Sequence, residues 1–176
     1  ELTLANKDDI VIEIDPGTAF GTGSHETTKL CIQGLRKYIT STTELLDVGC
    51  GSGILSIIGL KLGAKHAVGT DIDPNALTAT LENVEVNQIT AENQIKMRFD
   101  VLAGNIIEDT IMQEKVGKKK YDVVVANILA DVIIPLSGMI QQHMKEDGVF
   151  ISSGIIDMKK EEVKEALLAN GFQIIE

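Results

Sequence analysis

A run of apolar residues that ends in an acid and breaks into three alternate glycines constrains this chain more than any other feature. The run is Leu45-Leu46-Asp47-Val48, the glycines are Gly49, Gly51 and Gly53, and the helix-like Ile54-Leu55-Ser56-Ile57-Ile58 follows. A second apolar run, Ala67-Val68-Gly69, ends in Thr70 and Asp71, 22 positions after Gly49. Lacking a Cβ, glycine lets the backbone turn sharply and approach a ligand closely. A helix start presents N–H groups with no partner inside the helix. An acid about 20 residues further on, at the end of the next strand, can accept hydrogen bonds from ribose hydroxyls. Together these features describe a site for an adenosine-containing cofactor at the carboxyl edge of a parallel sheet.

The rest of the chain supports such a sheet. Apolar runs near 10–14, 45–48, 67–70, 95–99, 122–126, 148–152 and 172–175 read as strands. Helical patterns fall between them at 26–39, 53–62, 75–87, 105–115, 128–145 and 159–169. Strand–helix alternation predicts an α/β fold with a doubly wound, mostly parallel sheet. Asp73-Pro74 supplies an N-cap and a first-turn proline, and Gly63 and Gly171 sit where helices should stop. With 176 residues, 44% of them hydrophobic, the chain suffices for one domain with a core, and 3% aromatic content makes that core aliphatic.

The glycine spacing then separates cofactors. The dinucleotide fingerprint is G-x-G-x-x-G/A, shaped around a pyrophosphate. Here the pattern is G-x-G-x-G, and Ile54 stands where the third dinucleotide glycine belongs. That spacing resembles the first motif of the S-adenosylmethionine-dependent methyltransferases with a Rossmann-like fold, whose cofactor has no phosphate. Asp47, Gly49, Gly51 and Asp71 are the candidate cofactor contacts that this motif supplies.

Two further segments carry chemistry. Asp15-Pro16-Gly17-Thr18-Ala19-Phe20-Gly21-Thr22-Gly23-Ser24-His25-Glu26-Thr27-Thr28 reads as an ordered loop running into a helix, with Ser24 as N-cap and Thr27 at the third helical position. A loop placed there can fold over the cofactor, with Phe20 closing the pocket and a threonine hydroxyl on its carboxylate. Asp122-Val123-Val124-Val125-Ala126-Asn127 reads as a buried strand with Asn127 at its carboxyl end, where ligands of open α/β sheets bind. The Asn127 amide oxygen can accept a hydrogen bond from an amine, and asparagine is equally favoured as a helix N-cap.

These segments, with Gly69-Thr70-Asp71-Ile72-Asp73-Pro74, Val125-Ala126-Asn127-Ile128-Leu129-Ala130 and Ser153-Gly154-Ile155, resemble the catalytic domain of the PrmA-like family, bacterial methyltransferases that modify large-subunit ribosomal protein eleven. The resemblance covers nearly the whole chain, and the segment from Asp15 to Thr28 is its most diagnostic part. It implies a Rossmann-like class I methyltransferase fold using S-adenosyl-L-methionine. By position, Thr28 would lie near the methionine end of the cofactor, Gly49 beneath it, Asp71 on the ribose and Asn127 by the methyl group. Ile72 and the Phe99-Asp100 pair would border the adenine. Such enzymes finish with two antiparallel strands, and the family has a substrate-recognition domain on the N-terminal side. Residues 1–176 are therefore expected to be a single catalytic domain, a fragment without that domain or the last strand.

The reaction that the resemblance implies is displacement at the sulfonium methyl by lysine and terminal amines of the ribosomal protein. Only a neutral amine has the lone pair, and holding lysine neutral at pH 7 costs about 4–5 kcal/mol against a pKa near 10.4. A desolvated site beside a positive sulfur lowers that cost, and positioning supplies much of the remainder. Asn127 is the candidate for orienting the amine. His25 is titratable but reads as a loop-stabilising residue, and no general base stands out.

Charge and cysteine usage bound the partners. The net charge of −10 argues against direct nucleic-acid binding and favours a basic protein partner. Lys118-Lys119-Lys120 reads as a solvated turn. Cys31 and Cys50 form no disulfide framework, which points to a reducing cytoplasm. The histidines share no metal-ligand spacing with the cysteines, and no apolar run approaches the roughly 20 residues of a membrane span. Other readings stay open: a methyltransferase for a nucleic acid or small molecule, or a cofactor-binding module without catalysis. Against base or amide methylation, Asn127-Ile128-Leu129-Ala130 lacks the prolines and aromatic ring that would stack on a flat acceptor.

Overall fold

The computed structural model describes residues 10–15, 25–87 and 98–176. Five strands form one parallel sheet: β1 (Glu44–Val48), β2 (His66–Asp71), β3 (Phe99–Ala103), β4 (Tyr121–Asn127) and β5 (Met144–Ser153). Their spatial order is β3-β2-β1-β4-β5. The chain steps outward from β1 to β3, then returns to the other side of β1 for β4. This reversal between β1 and β4 opens a crevice beyond the carboxyl ends of the strands.

Strand alternation builds the two layers of the core. Leu45, Val123 and Val125 face α1 (Glu26–Tyr38), α2 (Ile54–Lys61) and α3 (Pro74–Val86), packing with Cys31, Leu35, Ile57 and Leu60. Leu46, Val48, Val124 and Ala126 point the other way, toward Met112 of α4 (Thr110–Val116) and Leu136 of α5 (Ala130–Ser137). Each fully buried aliphatic side chain contributes about 1.5–3 kcal/mol, so neighbouring residues on one strand stabilise opposite faces. A last helix, α6 (Lys160–Ala169), packs beside α5 through Val163.

Asp73 caps α3 by accepting from the Asn75 N–H, ahead of Pro74, as the sequence predicts. Three strand expectations change. Residues 10–14 form no strand. The backbone here and at Asp15 pairs instead with two side-chain amides one turn apart, Asn83 of α3 and its C-cap Asn87: Glu13 N donates to Asn87 Oδ1 at 3.1 Å, and Asp15 N to Asn83 Oδ1 at 2.8 Å. Each amide also donates back, Asn87 to Glu13 O and Asn83 to Asp15 O, so buried asparagines stand in for a neighbouring strand. Residues 172–175 are not in a strand either; Phe172 packs against Phe150 with ring centroids 5.6 Å apart and the rings tilted by 41°. The third strand runs over Phe99–Ala103, not 95–99.

The long helix expected over 128–145 is also broken. The α-helix stops at Ser137, after Pro135, which has no amide proton to bond back to the preceding turn. A 3-10 turn at Ile140–Gln142 follows, and β5 has already begun at Met144. Among the described residues no helix is long and apolar enough to cross a membrane.

Candidate active site

The carboxyl ends of all five strands converge on one cleft of about 750 Å³. Val48 and Gly49 come from the end of β1, Asp71 from β2, Gly104 from just past β3, Asn127 from β4 and Gly154 from just past β5.

The glycine loop is held in left-handed backbone. Gly49, Gly51 and Gly53 have φ of +74°, +54° and +80°. At Gly49 a Cβ would also lie 2.5 Å from Ile128 Cγ2, so glycine alone fits between the loop and the residue after Asn127. The N–H groups of Gly49 and Cys50 both donate to Thr70 O, at 2.8 and 3.0 Å, which ties the loop to the end of β2. Gly51 N then donates to Asp71 Oδ2, and Asp73 N to Asp71 Oδ1, each at 2.9 Å. The Asp71 carboxylate is thereby fixed at the cleft wall between the glycine loop and the first turn of α3. Its remaining lone pairs can accept hydroxyl hydrogens.

On the other side, Asn127 Nδ2 donates to Thr28 Oγ1 at 3.2 Å. Asn127 Oδ1 accepts no hydrogen bond among the described residues. Gly154, at φ +85°, makes room for this group: a Cβ there would stand 2.6 Å from Ile128 O and 3.2 Å from Asn127 Oδ1. Asn127 is not a helix cap, since α5 is capped by Leu129 without a side-chain bond.

Several expected contacts take other places. Asp47 does not line the cleft. It precedes the last residue of β1, and its side chain lies on the α2 face, where Ser56 N and Oγ donate to Oδ2 at 3.1 and 2.8 Å. It is buried and its Oδ1 has no partner among the described residues. Burial pushes its carboxyl up to about 7, opposed by the Ser56 bonds and reinforced by the Asp71 charge. Thr28 is also buried and stands behind Asn127, whereas Thr27 and His25 of the same turn reach the cleft. Ile72 lines it and is 75% exposed. Phe20 lies outside the described residues.

Phe99 and Asp100 cannot border a ligand here. They begin β3, at the amino end of the sheet, where Phe99 is buried and Asp100 pairs with His66 Nε2 at 3.1 Å. The corresponding wall is made by Gly104, Asn105, Ile106 and Ile107. The Gly-Asn step directly after the apolar Val101-Leu102-Ala103 is the sequence signal for it. The helix cap is revised too. Ser24 lies outside the described residues, and His25 caps α1 by accepting from Thr27 N through Nδ1. That leaves Thr27 at the second helical position.

The chemistry of this donor set is narrow. The lining contains Asp71 and Asp73 but no lysine or arginine among the described residues. The two acids, Asp71 fixed at the wall and Asp73 beside it, and apolar walls of Ala76, Ile106 and Ile107 suit a nucleoside carrying positive charge better than a pyrophosphate. Thiol chemistry is disfavoured: burial pushes Cys31 up to about 12 and raises Cys50 as well. Among the described residues no group of histidines, cysteines and acids could hold a metal.

Comparison with known proteins agrees with this geometry. A family model described as Ribosomal protein L11 methyltransferase (PrmA) matches residues 2–176. A ribosomal protein L11 methyltransferase of Lachnoclostridium phytofermentans is 59% identical over 176 residues, covering 96% of this chain and 53% of the relative. One from Agathobacter rectalis is 54% identical, covering 100% of this chain and 54% of the relative. The crystal structure of a ribosomal protein L11 methylase from Lactobacillus delbrueckii subsp. bulgaricus superposes with a TM-score of 0.84 at 35% identity, over 98% of this chain and 81% of that one. The chain thus spans about half the length of these curated relatives.

Proposed function

The chain belongs to the ribosomal protein L11 methyltransferase family, and we propose that residues 1–176 form the catalytic unit of such an enzyme, an S-adenosyl-L-methionine-dependent N-methyltransferase. Its acceptors are lysine and terminal amines of the large-subunit ribosomal protein L11. The single observation that carries this reading is the pairing, across one cleft, of the fixed Asp71 carboxylate with Asn127.

Bound S-adenosyl-L-methionine supplies an electrophilic methyl group on a sulfonium. Asp71, oriented by Gly51 N and Asp73 N, would accept the ribose hydroxyls. Gly49 and Gly51 would let the backbone pass close under the ligand, and Ile72 and Ile106 of the cleft lining would border the adenine. Asn127 turns Oδ1 toward the acceptor because its Nδ2 is held by Thr28. That oxygen accepts an N–H of the neutral amine and aims the nitrogen lone pair. Only the neutral amine has the lone pair for displacement, so its proton leaves to solvent before transfer. Neither metal nor covalent enzyme intermediate is needed for such a displacement.

A cytoplasmic setting is consistent with two buried, unbridged cysteines. No nucleic acid takes part in this reading, as the acids at the cleft would repel phosphate. The test is incubation with S-adenosyl-L-methionine and purified ribosomal protein L11, followed by mass spectrometry. Methylene increments on L11 amines are expected. Tight binding of S-adenosylhomocysteine without any such increment would leave a cofactor-binding module and overturn the enzymatic reading.

A further inference from the structure

We propose that the apolar rim next to Asn127 is the docking surface for the acceptor and that it takes a cationic polypeptide segment. This rests on the amine-methyltransferase reading above and adds the surface that would recognise the acceptor.

Leu129 is the N-cap of α5, a position where Ser, Thr, Asp or Asn would satisfy the free helix N–H groups. It makes no capping bond and is 71% exposed, so its apolar side chain does nothing for the helix. Val132, one turn on, and Ile156, past β5, are exposed too, and all three line the mouth of the cleft. Met158 follows in the 3-10 turn Asp157–Lys159 and is 88% exposed. The two segments are neighbours, because Lys159 Nζ reaches Asp131 Oδ1 at 3.2 Å across them. Apolar side chains gathered on one edge of a cleft, and not scattered singly, mark a binding surface.

Charge decides the occupant. Asp131 and Asp157 interleave with these residues, and Glu161 and Glu162 stand in the first turn of α6 beside them. Lys159 is occupied by Asp131 and Glu162. Asp157 and Glu161 make no ion pair among the described residues. A lysine side chain fits both halves of such a surface, its methylene stem on Leu129, Val132 and Met158 and its ammonium beside the acids. Lysines flanking the reacting amine would be held there, a few residues from Asn127. A phosphate backbone would be repelled.

The experiment measures fluorescence anisotropy of a labelled peptide of lysine and leucine, titrated with the chain saturated with S-adenosylhomocysteine at low ionic strength. Asp131→Asn/Asp157→Asn and Met158→Ser are compared with the unaltered chain. The double variant should weaken peptide binding at least about fivefold, and the difference should shrink at high salt. Met158→Ser should weaken it at both salt concentrations. Calorimetric affinity for S-adenosylhomocysteine should not change, showing an intact cleft. Equal binding of a peptide with glutamate for lysine would overturn the proposal, as would variants that bind like the unaltered chain. So would displacement of the peptide by an RNA oligonucleotide, or a second copy of the chain covering the rim in sedimentation. Methyl transfer to L11, scored separately, keeps the two readings apart. Transfer with unaltered peptide binding in the variants sinks the docking surface alone, and peptide binding without transfer sinks the enzymatic reading alone.

Discussion

Asn127 and Thr28 are 99 residues apart in the chain and joined by one hydrogen bond of 3.2 Å, from Asn127 Nδ2 to Thr28 Oγ1. The bond engages Nδ2 and leaves Oδ1 without a donor among the described residues. It also links the end of β4 to the first turn of α1, so the orientation of Asn127 depends on where α1 packs.

Asn127→Ala should lower kcat by about 10- to 100-fold, the range of a lost positioning contact. Affinity for S-adenosylhomocysteine should fall far less. Thr28→Val, which keeps the shape and removes the acceptor, should produce a weaker version of the same pattern and cost about 0.5–1.5 kcal/mol of stability. Steady-state kinetics beside calorimetry separate the two effects. An Asn127→Ala enzyme with unchanged kcat would show that the amide does not orient the acceptor.

Asp71 offers a cofactor test. Asp71→Ala would remove the proposed ribose acceptor and also release Gly51 N and Asp73 N. Hydrogen bonds to a charged group contribute about 1.5–3 kcal/mol, so affinity for S-adenosylhomocysteine should drop by about 10- to 150-fold. Asp71→Asn should lose less, because one amide oxygen remains to accept. Titration calorimetry reads both variants, and equal affinity in all three proteins would exclude a ribose contact.

Asp47 predicts a stability profile. Its folded carboxyl titrates near 7, above an unfolded value of about 3.9. The stability it contributes is therefore fully present below about pH 3.9 and is lost as pH rises through 7. Three pH units at 1.36 kcal/mol each correspond to about 4 kcal/mol. Asp47→Asn keeps an oxygen for the two Ser56 donors and cannot ionise. The variant should gain stability over the unaltered chain progressively between pH 5 and pH 8. Urea midpoints across that range are the readout, and parallel curves would mean that Asp47 stays charged.

His143 acts at the other end of the scale. It is wholly buried, with Nδ1 on Gly117 O at 2.6 Å and no partner for Nε2 among the described residues. Burial holds its pKa below the ordinary value. Its stabilisation is present above about pH 6.5 and is lost as pH falls through the depressed folded value. His143→Asn can still place a donor on Gly117 O but cannot titrate. The variant is expected to be less stable at neutral pH because of the smaller side chain. Its melting temperature should nonetheless fall less steeply from pH 7 to pH 5. Slopes that match would count against a titrating His143.

Most of the sheet was legible in the chain, and so was the line of Gly49, Gly51 and Asp71. Apolar runs broken by glycine and acid carry local signals of period and turn chemistry, and these do not depend on the partner strand. The third strand was misplaced because Phe99-Asp100-Val101-Leu102-Ala103 follows a polar stretch without a sharp boundary. That slip put Phe99 and Asp100 at the wrong end of the strand and hid the wall at Gly104–Ile107. Residues 10–14 carry a strand's pattern, yet a ladder needs a neighbour. Asn83 and Asn87, on a helix, supply the bonds instead.

The sequence by itself determined the class of cofactor loop and the strand end that offers Asn127, because glycine spacing and apolar period are properties of contiguous residues. Tertiary structure alone decided which side of β1 Asp47 faces, which turn of α1 meets Asn127, and that Leu129, Ile156 and Met158 share one rim. Those are relations between segments far apart in the chain. They are set by strand parity and by the packing of helices on the sheet, and no local pattern encodes them.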